Sequence, residues 1–244
     1  MIQETIDALH TLNKHPETTF TIITGSGRFF SAGADLGVLT SISLPNFQSE
    51  AEKKLFWLRR FTIGVELIQT MIDHSKVLVL TMNGPGVGGG AAWFQGVADL
   101  FYMADDAWLQ VTFSELGLVP EMGSAVGFAQ QVGVRRANEW LMFGRRVGAS
   151  ELQTAGMVNA VFPKEDFERL VCEHLGSMLK ERDGKSLMEV KRLQSCRMRD
   201  ARMLALYESW HALAERFVEG GPLRRLEAKL SELEVKRKTR LSKI

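Results

Sequence analysis

The sequence predicts an α/β half followed by an α-helical half. Three observations carry the prediction. Two short apolar runs rich in β-branched residues, 20–24 and 77–82, each feed a glycine-rich turn, as buried strands do where backbone must approach a ligand closely. Apolar residues at helical spacing fill much of the chain between the strand-like runs. Beyond Pro163 only helical spacing remains.

Taken in order, Ile2, Ile6, Leu9 and Leu12 open the chain with an amphipathic helix that ends near Lys14. The run 20–24 is the first strand and leads into Ser31-Ala32-Gly33-Ala34-Asp35-Leu36. Residues 37–49, with Pro45 among them, read as a loop. A longer helix over 50–73 carries Leu55, Leu58, Val65, Ile68 and Ile72 on one side. The second strand, 77–82, enters Asn83-Gly84-Pro85-Gly86-Val87-Gly88-Gly89-Gly90, which supplies the N-terminus of a short buried helix over 91–98. Strands at 100–103 and 109–112 flank a turn at Asp105-Asp106. Glu121 lies in a loop before a helix over 123–132. Helices at 135–143 and 149–155 and a last strand at 158–162 complete this half. Helices at 164–182, 186–196, 202–219 and 223–239 follow. In the last of them Leu223, Leu226, Leu230 and Leu233 form a two-heptad seam that must pack on the same chain or on a partner subunit.

The composition sets bounds on function. With 244 residues, 45% hydrophobic and 24% charged, the chain suits one sizeable core, or one core with a helical appendage. A formal net charge of +1 gives no global attraction to nucleic acid or to an anionic membrane. The segment 222–244 nevertheless carries eight Lys or Arg against three Glu. Cys172 and Cys196 stand in no metal-ligand spacing and read as free thiols in a reducing compartment. No apolar run approaches the length of a membrane span, and the N-terminus shows no signal-peptide pattern. The five histidines form no ligand or triad spacing. Ser242-Lys243-Ile244 differs from the peroxisomal address Ser-Lys-Leu only in the branching of its last side chain.

Each glycine turn has a simpler reading taken singly. Gly84 to Gly89 matches G-x-G-x-x-G, with Asp105 about 20 residues on. Against a dinucleotide site stand Pro85 in the turn, a following helix short for that unit, and the first turn and Glu121 left unexplained. The first turn alone is a strand-to-helix corner capped by Asp35. Glu121 alone is a favourable charge near a helix start. Together, two turns can hold one oxygen between them while a carboxylate beside it moves protons.

In this order and at these intervals the set resembles the crotonase, or enoyl-CoA hydratase/isomerase, superfamily. Gly27-Arg28-Phe29-Phe30-Ser31-Ala32-Gly33-Ala34-Asp35-Leu36 is similar to its first oxyanion segment. Asn83 to Gly90, with Asp99 closing the short helix, is similar to the second. Phe113-Ser114-Glu115-Leu116-Gly117-Leu118-Val119-Pro120-Glu121 is similar to its catalytic loop, and residues 144–162 to the stretch after it. The likeness covers about residues 1–200.

The resemblance implies a ββα spiral over 1–163 with a helical, trimer-building region over 164–244. Family members carry a strand hairpin before the first helix; this chain begins almost at that helix, so the hairpin is expected to be missing. The implied substrate is a fatty acyl-CoA, with coenzyme A part of the substrate and no separate cofactor or metal. The N–H groups of Ala34 and Gly89 would polarise the thioester carbonyl, and Ala32, Gly33, Ala34, Asp35, Leu36 and Gly89 would bind the substrate. Hydratases of the family use two glutamates, at positions where this chain has Ala92 or Trp93, and Phe113. Glu115 falls two residues late. Glu121 matches the single glutamate of the peroxisomal-type Δ3,Δ2-enoyl-CoA isomerases, which shift one double bond for β-oxidation by 1,3-proton transfer. Apolar walls from Leu118, Val119, Met122 and Phe113 would raise its basicity. Arg28 and the basic last helix either meet the CoA phosphates or form a solvated face. The likeness further implies a homotrimer or hexamer, and a fatty-acid role gives weight to a peroxisomal address. Another acyl-CoA reaction of the family, or acyl-CoA binding without turnover, would keep Ala34 and Gly89 and use Glu121 differently.

Overall fold

A computed structural model describes residues 1–241; Ser242-Lys243-Ile244 lie outside the described residues. The chain opens with α1 (Ile2–Lys14) and β1 (Phe20–Thr24), then α2 (Leu36–Thr40) and α3 (Glu50–Ile72) lead to β2 (Val77–Met82). Next come β3 (Gly86–Val87), α4 (Gly89–Gln95), β4 (Leu100–Ala104), β5 (Trp108–Gln110), α5 (Ser124–Val132) and α6 (Val134–Phe143). β6 (Val147–Gly148), α7 (Ala149–Thr154) and β7 (Ala160–Phe162) finish the α/β half. The helices α8 (Phe167–Lys180), α9 (Gly184–Val218) and α10 (Gly221–Leu241) follow.

Two sheets result. One is parallel in the order β1-β2-β4-β7, and the other runs β3-β5-β6 with β5 and β6 antiparallel. A strand of the first sheet is followed by one of the second and then by a helix, as in β2-β3-α4 and β4-β5-α5. This is the ββα spiral. All six residues of β2 are buried, because a parallel strand flanked on both edges and covered on both faces has no wet side. The register pairs Thr24 with Thr81, so β1 and β2 end side by side and the two glycine turns leave the same edge of the sheet. In open parallel sheets that edge, at the carboxyl ends of the strands, is where ligands bind.

Some elements differ from expectation. Within 37–49 the chain forms α2 rather than only loop, because Asp35 Oδ1 accepts from the Val38 N–H at 3.1 Å and caps the turn. The helices expected at 186–196 and 202–219 are one, α9. No Gly or Pro interrupts 197–201, and Arg199 there grips Asp73 with two bonds of 2.7 and 3.0 Å. The buried Lys191 anchors α9 below: its ammonium meets Asp99 Oδ2 and the Lys76 carbonyl, each at 2.7 Å. α8 starts at Phe167 rather than 164. β3 and β6 were not expected at all.

The leucine seam finds its partner in the same chain for its first half. Leu223 and Leu226 pack in an apolar cluster with Trp57 of α3, Phe217 of α9, Leu36 and Leu39 of α2, and Leu116 to Val119. Leu226 is fully buried, whereas Leu233 stays exposed. No helix among the described residues is long and apolar enough to cross a membrane.

Candidate active site

The two glycine turns are bound to each other. The Phe30 N–H donates to the Pro85 carbonyl at 3.0 Å, the Val87 N–H donates to the Ser31 carbonyl at 2.8 Å, and Ser31 and Gly86 form a parallel bridge. Asn83 fastens the pair from below: its Oδ1 accepts from the Gly25 N–H at 3.2 Å and its Nδ2 donates to the Gly27 carbonyl at 3.0 Å. Gly33 and Gly88 both have positive φ, +86° and +68°, which L side chains rarely adopt. A Cβ on Gly88 would lie 3.5 Å from the Gly33 Cα, so the turns touch at their tips. Ala32, Gly33, Ala34 and Asp35 are exposed there, Leu36 is half-buried, and Gly89 begins α4. Among the described residues the Ala34 and Gly89 N–H groups donate to no other group.

Glu121 reaches this junction from the third segment. A Cβ on Gly89 would lie 2.6 Å from Glu121 Oε2, so the carboxylate rests against the second turn. The turn Glu121-Met122-Gly123 is sharply bent, with φ of +51° at Met122 and +75° at Gly123. Backbone in that region is strained for methionine and persists where surroundings enforce it. Here the Gly123 N–H donates to Ser209 Oγ of α9 at 2.9 Å, the Ser124 N–H returns to the Glu121 carbonyl at 2.9 Å, and the Met122 side chain is buried. The Trp93 indole N–H donates to Glu121 Oε2 at 3.1 Å. Burial pushes the Glu121 carboxyl from its ordinary 4.5 up to about 7, against the smaller opposing effect of the Trp93 hydrogen bond.

The three segments expected to form one site lie together in the structure. Of the positions where a hydratase would carry acids, Ala92 and Phe113 are buried in the main core and Trp93 packs at its edge. Glu115 is exposed and stands beside Gly144. Leu118 and Val119 belong to the apolar cluster around Trp57. Arg28 lies over the Phe29 ring. Asp105 receives the Lys164 N–H at 3.0 Å, a turn-closing role in place of a ribose contact. The sequence did not foretell the bonds that Asn83 makes to the first turn, that Trp93 makes to Glu121 or that Ser209 makes to Gly123. Asn83 was legible as the polar residue ending a buried strand; the other two act across the fold. A groove of about 300 Å³ between α1 and α3, lined by His10, Asn13, Glu66 and His74 among others, touches none of these residues.

Residues 1–219 match the family model described as enoyl-CoA hydratase/isomerase. A protein of Pyricularia oryzae named Delta(3,5)-Delta(2,4)-dienoyl-CoA isomerase is 36% identical over 195 residues, 73% of this chain and 68% of that one. Enoyl-CoA delta isomerase 2 of Rattus norvegicus is 36% identical over 180 residues, 74% of this chain; the match spans only 44% of the rat protein's length. Among solved structures, an enoyl-CoA hydratase/isomerase from Pseudoalteromonas atlantica superposes with a TM-score of 0.79 at 21% identity, covering 95% of this chain and 86% of that one. At that identity the likeness shows the fold.

Proposed function

The chain belongs to the enoyl-CoA hydratase/isomerase family, and within it we propose a Δ3,Δ2-enoyl-CoA isomerase acting on unsaturated fatty acyl-CoA. The observation that carries this reading is a single carboxylate, Glu121, lodged against Gly89 where the two turns meet, with Ala92, Trp93 and Phe113 at the positions of a hydratase's acids. Hydration needs a base for water and an acid for the α-carbon. Moving a double bond needs one group that takes a proton and gives it back.

In this reading the thioester oxygen lies between the Ala34 and Gly89 N–H groups, and residues 32–36 line the acyl-CoA. Glu121 removes a C2 proton: the C2–H bond breaks, a carboxyl O–H forms, and the charge spreads through the dienolate to the thioester oxygen. The O–H then breaks as the proton is delivered to C4, leaving trans-2-enoyl-CoA. One preorganised donor to such an oxygen is worth roughly 3 kcal/mol in the transition state. A carboxylate raised to about 7 is a far better base than one at its ordinary value and is still substantially ionised at neutral pH. Coenzyme A is part of the substrate and no further cofactor takes part.

The names of both relatives describe double-bond shifts, which supports isomerase over hydratase. The Pyricularia relative is named for a dienoyl-CoA, so a 3,5-dienoyl-CoA belongs in the assay beside 3-enoyl-CoA. Assembly as a trimer or hexamer and delivery to the peroxisome through Ser242-Lys243-Ile244 are part of the same proposal. A cytosolic reporter bearing that tripeptide would remove the second. Glu121→Gln tests the chemistry. Loss of 3-enoyl-CoA isomerisation in a folded variant is expected, and retained activity would end the assignment.

A further inference from the structure

Among the described residues, Trp93 is the one polar side-chain partner of the carboxylate that this reading makes the base. Its position follows from α4, a short helix of Gly89–Gln95 whose first residue touches Glu121 and whose fifth residue is Trp93. The indole also has a fixed back wall. A Cβ on Gly64 of α3 would lie 3.7 Å from Trp93 Cη2 and 2.8 Å from Met122 Cε, so both side chains pack closely on α3 at that glycine. A ring held this way presents its N–H in one direction.

We propose that Trp93 is the positioning residue of the proton shuttle: its indole N–H holds Oε2 and leaves Oε1 as the oxygen that takes and returns the proton. The assignment rests on the isomerase reading for its consequence, but the hydrogen bond itself does not. An aspartate or glutamate oxygen carrying a hydrogen bond is a weaker base than its free neighbour. A single base working at C2 and then C4 has to keep one oxygen over the allyl plane throughout, and a carboxylate free to spin about its last torsion would not. Ser209 contributes at one remove by holding the Gly123 N–H and with it the bend of the loop.

The charged surroundings simplify the test. α4 and α5 carry no titratable side chain. Arg202 of α9 lines a small recess behind Trp93 and Met122, yet no neighbouring charge contributes to the Glu121 shift, which comes from burial and Trp93. Removing the indole N–H while keeping an aromatic ring, as Trp93→Phe does, withdraws support from the ionised form. The acid limb of the kcat profile is expected to move up by about one pH unit. kcat is expected to fall about 10-fold or more with KM within about twofold.

An independent measurement covers the case in which Trp93→Phe folds poorly. In uniformly ¹⁵N-labelled wild-type protein, the Trp93 indole N–H resonance should move as Glu121 ionises, with a midpoint near 7, and should stay still in Glu121→Gln. A resonance unmoved between about pH 5 and pH 9, or an acid limb unmoved in a folded Trp93→Phe, overturns the proposal. Failure of the isomerase reading looks different: 3-enoyl-CoA is not turned over while the resonance still titrates.

Discussion

Replacing Glu121 by Gln should stabilise the fold as it removes the proposed chemistry, and by an amount that depends on pH. The carboxyl stands at about 7 in the folded chain against an ordinary 4.5. Below the ordinary value both states hold the proton and Glu121 has no pH-dependent effect. As pH rises from there the unfolded chain ionises first, so the folded state loses ground until pH passes the folded value. At about 1.4 kcal/mol per unit the penalty is about 1 kcal/mol near pH 5.5 and about 3 kcal/mol near pH 8.5. Gln keeps an oxygen for the Trp93 N–H and carries no charge, so the variant escapes the penalty. Urea titrations of wild type and Glu121→Gln at those two pH values should show the variant's advantage growing by about 2 kcal/mol. An advantage that is absent, or equal at both pH values, would refute the raised carboxyl and the account of its basicity.

Two further outcomes follow from the same geometry. Gly89→Ala places a methyl 2.6 Å from Glu121 Oε2 and 2.9 Å from Trp93 Nε1; displacing the carboxylate should lower kcat by about 100-fold in the folded variant, and full activity would separate Glu121 from the second turn. Asn83→Ala removes both bonds that fasten the turns and leaves the Gly25 N–H unpaired; chemical denaturation should show a loss of about 1–3 kcal/mol, and no loss would mean the turns hold without it.

The glycine turns were legible because their signals are local. A buried strand ending in Asn83 followed by closely spaced glycines can do little else than bend and expose backbone. The long strands β1 and β2 and the helices α1 and α3 were legible for the same reason, since hydrophobic spacing alone defines them. The two-residue strands β3 and β6 exist through pairing with β5 and, for Gly86, with Ser31, and two residues show no periodicity. The seam of α10 showed that a partner was needed but not which one; the answer, α2 with the Leu116 to Val119 loop, is a tertiary fact. Trp93 is the instructive case. In the sequence it stands only where a hydratase would carry an acid, and its N–H meets Glu121 28 residues away only because α4 and the strained Met122 turn are brought together by α3 and α9.

The central claim is that one carboxylate at the junction of two glycine turns moves a proton between two carbons. Its most direct measurement is the parallel incubation of the purified chain with 3-enoyl-CoA and trans-2-enoyl-CoA, following double-bond position and 3-hydroxyacyl product together. The account predicts that 3-enoyl-CoA becomes trans-2-enoyl-CoA and that neither substrate takes up water. Accumulation of a 3-hydroxyacyl-CoA, or no change in either substrate, would contradict it.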